Sequence, residues 1–124
     1  MTRVAATADA IRALVPAARE AWREIDENVL RSGPADRSLK ELCFRYLAGE
    51  RGTMDFTRFS DRERAALEWT DAIAFDSERA SDELWSRLHR HFSDAELVDL
   101  GCAIGFELGQ QHWRRTMGLS AREA

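Results

Sequence analysis

Hydrophobic positions along this chain recur at three- and four-residue spacing, and no stretch alternates in the manner of a strand. The spacing predicts a short helix over Ala8–Val15. Pro16 suits the first turn of a second helix, Pro16–Arg31, in which Ala18, Trp22, Ile25 and Val29 share a face. Ser32-Gly33-Pro34 is a stop signal. Asp36 or Ser38 caps a third helix over about Arg37–Ala48, with Leu39, Leu42, Cys43, Tyr46 and Leu47 as its core face. Gly49–Phe59 has mixed polarity and predicts no regular element. Ser60 and Glu63 form a capping box that opens Asp61–Phe75, with Ala66, Trp69 or Thr70, Ile73 and Ala74 inward. Asp76–Ala80 is a polar link. Ser81 then caps Asp82–His91, where Leu84, Trp85 and Leu88 face inward and Phe92 fills the corner. The expected fold is all-α, with five or six helices in one domain over residues 1–124.

The last helix is the most informative. Ser93 and Glu96 form a second capping box, and Gly118 closes the helix after Arg114 and Arg115. Leu97, Leu100, Ile104 and Leu108 share one side; Val98, Cys102, Phe106 and Trp113 share another. Asp99, Glu107, Gln110 and Arg114 are left as a narrow polar stripe. A helix apolar around most of its circumference is expected to be buried. Gly101, Gly105 and Gly109 form a bare ridge along it, at a cost of roughly 1 kcal/mol each relative to alanine. Close approach of another backbone, within the subunit or between copies, is the expected compensation. Charged residues interrupt the run too often for a membrane span.

Composition narrows the function classes. The 124 residues have 44% hydrophobic and 32% charged content, an ordinary globular balance, and a net charge of −4 that argues against nucleic acid as a partner. Met1–Ala8 is too short and polar to supply a secretory leader, so Cys43 and Cys102 are expected to be reduced thiols in the cytoplasm. Both lie on apolar helix faces and read as small packed hydrophobes. His89 and His91 are two apart, point away from each other on a helix, and cannot share a metal ion. His112 has no i, i+4 ligand partner. No metal or cofactor is expected.

The run Leu39-Lys40-Glu41-Leu42-Cys43, following an amphipathic helix and Gly-Pro, resembles the opening motif of the alkyl hydroperoxidase D-like, or carboxymuconolactone decarboxylase-like, family. Ser60–Ala74 and Ser81–Leu119 are similar in pattern to that family's C-terminal half. The resemblance implies an all-α fold assembled as a homo-oligomer (a dimer, trimer or hexamer). It also implies an antioxidant peroxidase chemistry in which a Glu, a Cys-x-x-Cys pair and a His cooperate. Glu41 matches that Glu. The two Cys positions fall on Thr53 and Phe56, and the His position falls on Ser60. The family's longer connection before the next helix is missing too. The chain reads as a shortened member without the thiol pair.

Two uses remain for the polar residues. Glu107 can pair structurally with Arg114 or Arg45. Alternatively, Glu41, Tyr46, Glu107, Gln111 and His112 line a pocket for a small polar or aromatic ligand, with Glu41 or Glu107 as an acid or base. A peroxidase-like or decarboxylase-like activity through Glu41 and one thiol, Cys43, is the enzymatic alternative. A protein-interaction module built on the Gly101, Gly105 and Gly109 seam is the third.

Overall fold

A computed structural model describes residues 7–123. Among them are six α-helices and no strand: α1 (Ala8–Ala13), α2 (Pro16–Ile25), α3 (Arg37–Leu47), α4 (Asp61–Phe75), α5 (Asp82–His91) and α6 (Asp94–Thr116). The all-α expectation holds. The stretch judged unfit for a leader lies mostly outside the described residues.

Local chemistry sets the helix boundaries. Asp36, Ser60, Ser81 and Ser93 each accept a hydrogen bond from a first-turn amide, and the two serine–glutamate boxes are complete in both directions. α6 ends in a Schellman motif: Gly118 has φ +81°, its N–H donates to Arg115 O, and Leu119 N–H donates to Arg114 O. α2 runs on through a π-helical turn, Asp26–Leu30, that carries it to the Ser32–Pro34 stop. The Gly49–Phe59 stretch forms two short 3₁₀ turns.

One core joins α3, α4, α5 and α6. Leu39, Leu42, Cys43 and Leu47 meet Ala65, Ala66, Leu67 and Trp69, closed by Leu84, Leu88, Leu97, Leu100 and Ile104. Each large side chain buried there contributes roughly 1.5–3 kcal/mol relative to exposure. The α1–α2 arm is different. No residue of α2 is fully buried, and Trp22, Ile25 and Val29 pack only partly, against Leu30, Phe44 and Ala103.

α6 corrects the expectation of a helix buried on most sides. Its Leu97, Leu100 and Ile104 face is in the core, but Val98 is 67% and Phe106 44% exposed, and Cys102 is exposed as well. The polar side chains Glu107, Gln111 and Arg114 are the buried ones. The α1–α2 arm and the C-terminal tail lie over the polar stripe and supply its partners; on the second apolar side the arm also reaches Trp113 and one flank of Phe106, while Val98 and Cys102 are left open. Of the glycine ridge, only Gly101 is pressed by a neighbour: a Cβ there would stand 2.8 Å from the Trp69 ring. Gly105 and Gly109 have nothing within 4 Å of where a Cβ would be.

Candidate functional site

Three polar centres are built into the helices. The first ties the loop after α2 to α6. Lys40, fully buried on α3, donates from Nζ to Val29 O and Ser32 O, both at 2.6 Å, and pairs with Asp99 Oδ2 at 2.7 Å. Asp99 also accepts from the Ala35 N–H at 2.9 Å. Gly33, at φ +113°, passes so close that a Cβ would lie 2.7 Å from both Asp99 carboxylate oxygens. Every strong donor of this knot is satisfied, which marks it as structural.

The second centre surrounds Asp71. Its carboxylate accepts from Tyr46 Oη at 2.9 Å and pairs with Arg51 at 2.8 Å and Arg79 at 2.6 Å. Burial pushes the Tyr46 hydroxyl up, and its bond to the Asp71 carboxylate reinforces this against the opposing Arg51 bond.

The third centre lies under the α1–α2 arm and the tail. Glu107 Oε1 is 3.4 Å from Arg114 Nη1, and Oε2 accepts from Gln111 Nε2 at 3.1 Å and pairs with Arg122 Nε at 3.2 Å. Gln111 also donates to Phe44 O at 3.0 Å, pinning α6 to α3. Arg122, reaching back from the tail, pairs through Nη2 with Glu41 at 2.8 Å. Glu41 and Glu107 therefore line one cleft of about 350 Å³, together with Arg37, Phe44, Arg114 and Arg122.

Of the residues expected to share a pocket, Glu41, Glu107 and Gln111 are brought together. Tyr46 is not, since it belongs to the Asp71 centre, and His112 is exposed on the other side of α6. The pairing of Glu107 with Arg114 is as expected; Arg45 pairs instead with Glu50. Glu41 and Cys43 point apart, one exposed and one at 0% exposure, so they form no common centre. Burial pushes the Cys43 thiol up to about 12, which disfavours the nucleophilic thiolate. Cys102, expected to be packed, is exposed in a shallow apolar cleft with Trp69, Trp85, Val98 and His89. Among the described residues no three His, Cys, Asp or Glu side chains gather as a metal cage, and no helix is long and apolar enough to cross a membrane.

Unexpected from the sequence, a cavity of about 500 Å³ lies between the α1–α2 arm and α6. Ile11, Val15, Ala18, Trp22, Ile25, Phe106, Trp113 and Met117 wall it, with Arg12 and Gln110 as its polar members. Arg12 is 6% exposed. Its guanidinium lies 4.1 Å from the Trp22 ring centre and 5.0 Å from that of Trp113. Arg114 stacks on Trp22 as well, at 5.2 Å. The available signal was the position of Arg12 on the apolar side of α1, one helical turn after Ala8 and one before Val15. In comparisons with known proteins, the chain matches no family model, no curated protein and no solved structure.

Proposed function

We propose that this chain is a small-molecule-binding helical protein that acts without thiol chemistry, a shortened relative of the hydroperoxidase D-like family. The observation that carries the reading is the apolar cavity of about 500 Å³ between the α1–α2 arm and α6. Its size and wall chemistry suit a small organic ligand. The partly packed α2 gives that ligand a way in. In the Glu41–Glu107 cleft, by contrast, both carboxylates are already paired with arginines, which supports a structural role.

Octan-1-ol, a neutral apolar probe, tests the cavity. Titrated into the full chain, it is expected to move the indole N–H resonances of Trp22 and Trp113 and to leave those of Trp69 and Trp85 in place. Movement of all four together, or of none, rejects the cavity. The absence of thiol chemistry has its own test. Cys43→Ser and Cys102→Ser should consume hydroperoxide no more slowly than the parent chain; a large loss in either variant restores the enzymatic alternative.

A second reading, self-association along the outer side of α6, is favoured by the exposure of Val98 and Phe106 beside the uncovered Gly105 and Gly109. The mass in solution should then exceed that of one chain and fall to it in Gly105→Leu. An unchanged mass in the variant removes the seam.

A further inference from the structure

Resting on the cavity reading above, the charge inside that cavity points to the ligand's chemistry. Among the described residues, ten of the eleven that line it are uncharged; Arg12 is the exception. A buried cation is ordinarily paired with a carboxylate or fully hydrogen-bonded. Arg12 has neither. Its Nη2 donates to the neutral Gln110 Oε1 at 2.8 Å, and its enclosed Nη1 has no partner among the described residues.

The surroundings do not repair this deficit. Asp9, Asp26 and Glu107 act on Arg12 from α1, the π-helical turn and α6, but Asp9 is engaged by Arg19, Asp26 by Arg31, and Glu107 by Arg114 and Arg122. Burial, and then the like charge of Arg114, push the Arg12 guanidinium down to about 10, so it remains a cation at neutral pH. Arg114, behind Trp22, belongs to the neighbouring cleft and is paired with Glu107, so Arg12 is the one cationic side chain among the described residues that line this cavity.

We propose that the cavity takes a monoanionic amphiphile, one carboxylate on an apolar body, with Arg12 receiving the anion and the Trp22, Phe106 and Trp113 walls holding the rest. The two indole faces keep the guanidinium plane in position at the cavity wall. A neutral molecule of the same shape would fill the walls and leave the cation as it is. A dianion would bring a second charge to an apolar surface that offers it nothing.

Octanoate against octan-1-ol on the full chain decides the matter by calorimetry at neutral pH, with the Trp22 and Trp113 indole resonances locating the ligand. Octanoate is expected to bind at least about tenfold tighter, as a charged hydrogen bond in a water-poor site implies. Arg12→Met should remove that preference while keeping octanol binding; Arg12→Lys should retain part of it, and Arg90→Met, an exposed cation on α5, all of it. Equal binding of the two probes by the parent chain overturns the anion assignment and leaves the cavity reading standing. A preference that survives in Arg12→Met overturns the role of Arg12. Binding of neither probe overturns both. The parent-chain comparison needs no variant, so a poorly folding Arg12→Met leaves the test decisive.

Discussion

Lys40 and Arg12 are both cations withdrawn from water, yet their surroundings differ in kind. Lys40 has an acceptor for each of its three ammonium protons: two carbonyls at 2.6 Å and the Asp99 carboxylate at 2.7 Å. Among the described residues, Arg12 has a single neutral acceptor and two aromatic faces. Lys40 sits in the tightly packed half of the molecule, where α3 meets α6. Arg12 sits where a helical arm with no fully buried α2 residue leaves a cavity open. A satisfied buried charge holds a fold together; an unsatisfied one beside an apolar cavity is the feature on which the proposed ligand site rests.

Breaking the Lys40 knot should have the largest effect. Lys40→Met leaves Asp99 and two loop carbonyls without their cation, and urea denaturation should show a loss of about 3–5 kcal/mol. A loss under 1 kcal/mol would mean that the knot contributes little. Gly33→Ala comes next, at about 2 kcal/mol, because the new Cβ adds backbone strain at φ +113° and meets the Asp99 carboxylate. Its effect should shrink in an Asp99→Ala background; equal effects in both backgrounds would leave only the backbone term.

Gly105→Ala and Gly109→Ala should each raise the stability of the isolated chain by about 1 kcal/mol, since nothing lies within 4 Å of the added methyl and alanine favours the helix. Destabilisation at either position would place a neighbour against that ridge. The smallest effect belongs to Arg12→Met without ligand, expected within about 1 kcal/mol of the parent, because a poorly paired buried cation is replaced by an apolar side chain of similar length. A loss as large as that for Lys40→Met would show that Arg12 is a second structural knot, and the contrast between the two halves would collapse.

Helix limits were legible because caps are local. Ser60 with Glu63, Ser93 with Glu96, and Gly118 act within one turn of the boundary they set, and all behave as the residues alone predict. The core faces of α3 and α5 were legible for the same reason, each having one clean apolar stripe. α6 was not, because it has two apolar sides and sequence periodicity does not rank them. The ranking came from what else the fold brought near. Arg122, beyond the helix stop, returns to Glu41 and Glu107, and the arm carrying Arg12 and Trp22 settles over Arg114, so the polar stripe turned inward and Val98 and Phe106 were left outside.

Lys40 shows the same limit. A lysine between Leu39 and Glu41 gives no hint that it is fully buried, since long charged side chains are rarely hidden and only distant acceptors make it tolerable. Short-range rules of capping, glycine stops and apolar spacing thus wrote the six helices and their order into the chain. Which charges would be hidden, which would find partners, and where an apolar cavity would form depended on residues up to 98 positions apart, as Arg12 and Gln110 are, and was decided only when the helices packed.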